Sequence, residues 1–200
     1  MPGSARLLMC LMAIALLAPR MAFAENQCEG HELLSTPRPE SSCANTIVKI
    51  HPSPNKKLHA TVLPVDVSLN ATPDMEGRVV IRSMDGDTLN SISHASPRGM
   101  NGYYVDVAQW SPDSQFFVYS MVSSGGHSPW SHPTVVYSVA HNRFAQLSEM
   151  IEGRPLLSEK FQFTGQHELT ATTWKKEGAP DEPVPVTVDL ATAFDKLKPN

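Results

Sequence analysis

Three apolar runs between Tyr103 and Val139 constrain the fold more than any other part of the chain. Their sequences are YYVDVAQW (103–110), QFFVYSMV (115–122) and PTVVYSV (133–139). A short turn separates the first two runs, and a long polar loop separates the second from the third. Runs rich in β-branched and aromatic residues with such spacing are typical of three consecutive strands in an antiparallel sheet.

The second run predicts a strand that is buried on both faces. Phe116 and Val118 lie on one face of it. Phe117 and Tyr119 lie on the other. Because neither face is polar, we expect this strand to lie between two packed layers.

Shorter runs of similar composition predict further strands along the chain. They lie at 46–50, 58–67, 78–84, 88–93, 143–147, 161–163, 169–174 and 184–190. One short helix is predicted at 192–197, and no earlier window after the leader keeps helical periodicity over roughly ten residues. We therefore expect an all-β chain.

An internal repeat relates two parts of the chain. Ser53-Pro54-Asn55 precedes one predicted strand as Ser111-Pro112-Asp113 precedes another, 58 positions later. Proline presets φ for a turn, and Asn or Asp binds its own backbone two residues on. A degraded third copy begins at Phe163. Each unit would hold four antiparallel strands, as a propeller blade does.

The segment WSPDSQFFVYS (110–120) resembles the W-S-P-D-G-K-x-h-x-h-x-S signature of TolB-type, WD-like propeller repeats, where h is hydrophobic. Ser114 stands where that family usually has glycine. Three units are fewer than the four blades of the smallest closed propellers. The resemblance therefore implies an open or incomplete propeller of about three four-stranded units, with a β-sandwich as the alternative.

The first 24 residues have the features of a secretory signal peptide. Arg6 precedes the apolar run LLMCLMAIALLA (7–18), and Ala22-Phe23-Ala24 supplies a small-x-small end. The apolar run is shorter than the roughly 20 residues that a membrane helix needs. We expect cleavage after Ala24 and a periplasmic mature chain that does not insert into the membrane.

Charge and cysteine content limit the partners of the mature chain. Loss of the leader reduces 16 basic residues to 14 against 20 acidic ones, a formal net charge of −6 without a basic stripe, which argues against nucleic acid. Cys28 and Cys43 remain, and in an oxidising compartment they most simply form one disulfide. That bond would close a loop within an N-terminal arm at 25–45 and so pin the arm, which precedes a single β-propeller-like domain at 46–200. A catalytic or metal-binding thiol pair is the alternative.

The loop at 121–132, MVSSGGHSPWSH, is the candidate binding site. It is longer than the usual hairpin loop of two to five residues. Its two glycines allow close approach of a partner, and tryptophan is enriched at interface hot spots. The predicted partner-binding residues are Ser123, Ser124, Gly125, Gly126, His127, Ser128, Trp130 and His132. The alternative is a structural loop that folds back over the sheet.

The predicted architecture and loop together resemble the periplasmic immunity proteins of type VI secretion amidase effectors. In that family a serine-bearing loop is thought to plug the active-site groove of a cell-wall peptidase, and Ser123 and Ser124 are the matching positions. The resemblance covers the general architecture and one loop. It implies an inhibitor or immunity-type protein whose partner is a peptidoglycan amidase.

Other functions have less support in the sequence. A G-x-S-x-G elbow is absent, so we predict neither enzyme activity nor a cofactor. His127, His132 and Asp106 could bind a small molecule or a metal, but no ligand-like spacing repeats elsewhere and no metal site is predicted. A structural envelope module that acts through its exposed sheet edges is a further alternative. Self-association to complete a ring stays open.

Overall fold

The computed structural model describes residues 48–65, 75–97, 101–125, 131–174 and 182–198. The predicted leader and the arm that contains Cys28 and Cys43 lie outside these ranges. Within them, eleven strands and two short helices form three antiparallel sheets, none of which closes on itself.

Each sheet is built from strands that are consecutive in the chain. Sheet 1 has the order β1-β2-β3-β4, with β1 (Lys49–Pro52), β2 (Leu58–Pro64), β3 (Gly77–Ser83) and β4 (Thr88–Ser93). Sheet 2 has the order β5-β6-β7-β8, with β5 (Tyr103–Trp110), β6 (Phe116–Ser123), β7 (Thr134–Ser138) and β8 (Arg143–Gln146). Sheet 3 has the order β11-β10-β9, with β9 (Leu156–Phe163), β10 (Glu168–Trp174) and β11 (Pro183–Asp189). Helix α1 (Leu147–Met150) precedes β9, and helix α2 (Leu190–Lys196) follows β11. The predicted all-β, open stack of sheets is confirmed.

Sheet 3 differs from the four-stranded unit that the repeat predicts. It has three strands among the described residues, and α2 follows its last strand. The carboxylate of Asp189 accepts a hydrogen bond from the Thr192 N–H at 2.7 Å and so caps the helix. Leu190 and Phe194, four residues apart, are fully buried on one side of the helix. Because these apolar residues have helical spacing, the described chain after β11 forms helix α2, where the repeat predicts a fourth strand.

Sheet 2 is the middle layer, and its two central strands, β6 and β7, are buried on both faces. All of β7 and the first six residues of β6 are buried. One core joins sheets 1 and 2 around Ile81 and Tyr119. A second core joins sheet 2 to sheet 3 and the helices around Leu169 and Phe194. Burial of each such side chain contributes about 1.5–3 kcal/mol, so the β6 side chains stabilise both contacts.

The two Ser-Pro turns of the repeat have the same hydrogen bonds. The N–H of Ser53 donates to the Leu58 carbonyl at 2.9 Å, and the N–H of Ser111 donates to the Phe116 carbonyl at 2.8 Å. In return, Leu58 N–H donates to Ser53 Oγ at 3.0 Å and Phe116 N–H donates to Ser111 Oγ at 2.9 Å. The repeat seen in the sequence is therefore a repeat of turn geometry.

Ser114 occupies the position where the resembled signature has glycine. Its φ is +64°, a left-handed conformation, and Lys56 at the matching position of the first turn has φ +56°. Left-handed backbone is strained for most residues with a side chain. The Ser114 side chain offers a compensation, because its Oγ accepts a hydrogen bond from the Asn55 N–H of the first turn at 3.0 Å. The serine thus links sheets 1 and 2.

The third turn lies beside the second. His167 Nδ1 is 3.2 Å from Asp113 Oδ2, and the Thr164 N–H donates to the Glu168 carbonyl at 2.9 Å. All three turns therefore lie at one end of the stack, which we call the turn end. The opposite end, the loop end, carries the connections 65–76, 124–133 and 175–182.

Candidate functional site

The loop end carries the longest hairpin connections of all three sheets. They join the second and third strands of each sheet and have eight to twelve residues, whereas the Ser-Pro-type turns at the other end have four or five. Long loops on a rigid sheet scaffold are where proteins most often place binding residues. The predicted loop at 121–132 corresponds to the middle connection, 124–133, because residues 121–123 belong to β6.

The structure describes both feet of this loop but not its tip. Ser123 is the last residue of β6, Ser124 and Gly125 follow it, and His132 precedes β7. The predicted partner-binding residues Gly126, His127, Ser128 and Trp130 lie outside the described residues. Their role stays a prediction.

The first foot is fixed to the chain segment that joins sheets 1 and 2. The Ser124 N–H donates to the Gly102 carbonyl at 3.0 Å, and Ser124 Oγ donates to the same oxygen at 3.1 Å. Ser123 Oγ accepts a hydrogen bond from the Gly125 N–H at 3.3 Å. The hydroxyl hydrogen of Ser124 is thus used within the protein, whereas Gly125 is exposed.

The second foot is fixed to sheet 3. The His132 N–H donates to the Leu156 carbonyl at 2.9 Å, and the Thr134 hydroxyl donates to the His132 carbonyl at 3.2 Å. The His132 ring lies 3.8 Å from a carboxylate oxygen of Glu159, measured from Nε2 to Oε2. His132 therefore connects the loop with the contact between sheets 2 and 3.

A buried carboxylate supports the first foot. Glu76, which is 6% exposed, accepts hydrogen bonds from the Gly102 N–H at 2.5 Å and from Ser96 Oγ at 2.6 Å through Oε1. Its Oε2 accepts from the Ser96 N–H at 3.0 Å. Burial raises the pKa of this carboxyl, but these hydrogen bonds outweigh burial and the pKa is lowered overall. The carboxylate thus holds Gly102, and Gly102 holds Ser124.

Gly102 must be glycine at this close contact. A Cβ there would collide with the His94 carbonyl oxygen and would lie 2.6 Å from the Glu76 carboxylate. Sequence reasoning did not single out Glu76 or Gly102. Glu76 binds partners 20 and 26 positions away, so no local pattern indicates its role.

The described residues give the metal alternative no ligand cluster. Within them, no group of three or more His, Cys, Asp or Glu side chains is placed to hold a metal ion. Asp106 is exposed at an irregularity in the pairing of β5 with β6, and His132 faces Glu159. His127, the third proposed ligand, lies outside the described ranges. No helix in the described ranges has the length and apolar character that a membrane span requires.

Comparisons with known proteins give a weak likeness in fold. No family model matches the sequence, and no curated protein matches it. Among solved structures, the chain is similar to TolB from Acinetobacter baumannii, with a TM-score of 0.22 and 11% sequence identity. The match covers 74% of this chain and 42% of the TolB chain, so the chain spans less than half of that protein. A likeness of this size carries no argument about fold or function.

Proposed function

We propose that this protein is a periplasmic protein-binding module, of the inhibitor or immunity type, that blocks a cell-wall amidase with the loop 121–132. The observation that supports the proposal most is the fixation of both feet of the loop to different elements. Ser124 is bound to Gly102 on one side, and His132 is bound to Leu156 on the other. A loop held in this way loses less conformational entropy when it binds a partner.

The hydrogen bonds distinguish the two serines that match the immunity-type loop. Ser124 donates its hydroxyl hydrogen to the Gly102 carbonyl, so it positions the loop. Ser123 Oγ accepts from the Gly125 N–H, and within the described ranges no group accepts the hydroxyl hydrogen of Ser123. We therefore assign the contact with the partner to Ser123 and to Trp130, and the supporting role to Ser124.

The test is inhibition and binding measured together. Purified mature protein is mixed with a purified type VI amidase effector, and the release of peptides from isolated cell-wall sacculi is followed. Affinity is measured by biolayer interferometry. We expect inhibition by the parent protein, and a loss of affinity of at least about tenfold for Trp130→Ala, a size typical of an interface hot spot.

A matched control separates the loop from the rest of the surface. Met84 is 47% exposed and lies at the turn end, so Met84→Ala removes a similar apolar contact far from the proposed interface. We expect Met84→Ala to bind as the parent does and Ser123→Ala to bind more weakly. Folded loop variants that inhibit as well as the parent would refute the proposed use of the loop.

A further inference from the structure

Histidines lie at both contacts between sheets, and their surroundings differ. The contact of sheet 1 with sheet 2 contains His51 and His94, which face aromatic side chains of sheet 2. The contact of sheet 2 with sheet 3 and α2 contains three histidines that face carboxylates, namely His132, His141 and His167. The two contacts should therefore respond differently to acid.

His94 is held in its neutral form against a buried tyrosine. Its Nε2 lies 2.8 Å from the Tyr119 hydroxyl, and the two rings meet edge-on with centroids 5.5 Å apart. Tyr119 is fully buried, and burial raises the pKa of its phenol. Burial lowers the pKa of His94 to about 4. Of the charged groups nearby, Glu76 lies next to the His94 carbonyl across Gly102 and takes its hydrogen bonds from the 96–102 segment.

His51 is the second histidine at this contact, and its surroundings also disfavour a positive charge on the imidazole ring. Its ring packs on Phe117 with centroids 5.7 Å apart, and its Nε2 is buried without a hydrogen-bond partner among the described residues. Burial lowers the pKa of His51, and Lys49 on the same strand lowers it further. The His51 carbonyl accepts the indole N–H of Trp110 at 2.7 Å, so the residue joins the two sheets directly.

The other contact offers carboxylates to its histidines. His167 lies between two of them, with Nδ1 3.2 Å from Asp113 Oδ2 and Nε2 3.0 Å from Asp189 Oδ2. His141 Nε2 lies 3.2 Å from Asp195 Oδ1, and its ring stacks on Phe194. The Arg143 guanidinium lies over the same Phe194 ring, 4.8 Å from its centroid. In contrast to His51 and His94, each of these imidazoles thus has a carboxylate oxygen within 3.2 Å of a ring nitrogen.

We propose that mild acid releases sheet 1 from sheet 2 while sheets 2 and 3 stay packed. The folded state binds a proton at His51 and His94 more weakly than an opened state does, so a fall in pH towards 4 favours opening. Opening exposes Trp110, Phe117 and Tyr119. It also frees the segment that holds Ser124, because His94 precedes that segment. Acid would therefore loosen the first foot of the loop.

The experiment uses Trp110 as a reporter of this contact. Trp110 is 5% exposed, and the double variant Trp130→Phe/Trp174→Phe makes it the single tryptophan of the chain. Its emission maximum and acrylamide quenching are recorded from pH 7.5 to 3.5 beside far-UV circular dichroism. We expect Trp110 to become exposed at a higher pH than the one at which the strand signal is lost.

Substitutions identify the trigger. His94→Gln keeps a neutral partner for the Tyr119 hydroxyl and should move the midpoint of Trp110 exposure down by about half a pH unit or more. His141→Gln, at the other contact, should leave that midpoint unchanged.

Two outcomes overturn the proposal. One is exposure of Trp110 that coincides with global unfolding, and the other is a midpoint of exposure that is unchanged in both His94→Gln and His51→Gln. If the His94 variant does not fold, an NMR titration of the His94 ring in the reporter protein decides: titration near pH 6.5 without exposure of Trp110 overturns it.

Discussion

The turn end and the loop end of the stack differ in how far their hydrogen bonds repeat from one sheet to the next. At the turn end, Ser53 and Ser111 make the same backbone hydrogen bonds 58 positions apart, and Asn55, Ser114 and Asp113 connect one turn to the next. At the loop end the connections are longer, and none of the hydrogen bonds described for Glu76 or Ser124 is repeated in another described sheet. The repeated hydrogen bonds therefore belong to the turns that build the scaffold, whereas the contacts that occur once belong to the part that positions the proposed binding loop.

The largest effect is expected from removal of a turn serine. In Ser111→Ala, the buried Phe116 N–H loses its acceptor, and we expect a loss of about 2 kcal/mol in the free energy of unfolding. Ser53→Ala removes the matching bond to Leu58, which is only half-buried, and should cost about 1 kcal/mol. Urea unfolding measures both. A smaller loss of unfolding free energy for Ser111→Ala than for Ser53→Ala would contradict the expectation that the turn of sheet 2 contributes more to stability than the turn of sheet 1.

The next effect concerns the support of the loop. Glu76→Gln removes the charge from three hydrogen bonds, and we expect a loss of about 1.5 kcal/mol at pH 7. Because the pKa of Glu76 is lowered in the folded protein, its contribution is present above the ordinary carboxyl pKa and disappears as the pH falls through the folded value. The parent and the variant should therefore converge in stability as the pH falls below the folded pKa of Glu76. A difference that persists undiminished in acid would show that the carboxylate charge is not the cause.

The smallest effect compares two left-handed residues. Ser114→Gly relieves the strain at φ +64° but loses the hydrogen bond to Asn55, so we expect a change within about 0.5 kcal/mol. Lys56→Gly relieves the same strain at φ +56° without such a loss and should stabilise the protein by about 0.5–1 kcal/mol. Equal effects of the two substitutions in urea unfolding would mean that the Ser114 bond between the turns contributes nothing.

The sequence predicted the features that depend on neighbouring residues. The strands at 103–110 and 116–123 follow from runs rich in β-branched and aromatic residues, and the two Ser-Pro turns follow from local turn chemistry. β9 begins at Leu156, five residues before the predicted strand. The prediction missed these residues because LLSEK does not alternate clearly between apolar and polar residues. The pattern does not predict α1, whose four residues are too few to show a helical period.

The support of the candidate site could not be predicted in the same way. Glu76 reads as an ordinary acidic residue before a strand, and its role depends on where the fold places Ser96 and Gly102. The Ser124 contact likewise joins positions 22 residues apart. The signal that remains in the sequence is Gly102, a glycine directly before a strong strand.

Amide hydrogen exchange at the two feet of the loop tests the central claim most directly. In the folded protein at pH 7, NMR should find the Ser124 and His132 amides protected, because each donates to a backbone carbonyl of another segment. Glu76→Gln should speed exchange at Ser124 and leave His132 unchanged. A Ser124 amide that already exchanges in the parent as fast as in an unfolded peptide would contradict the account of a loop fixed at both feet.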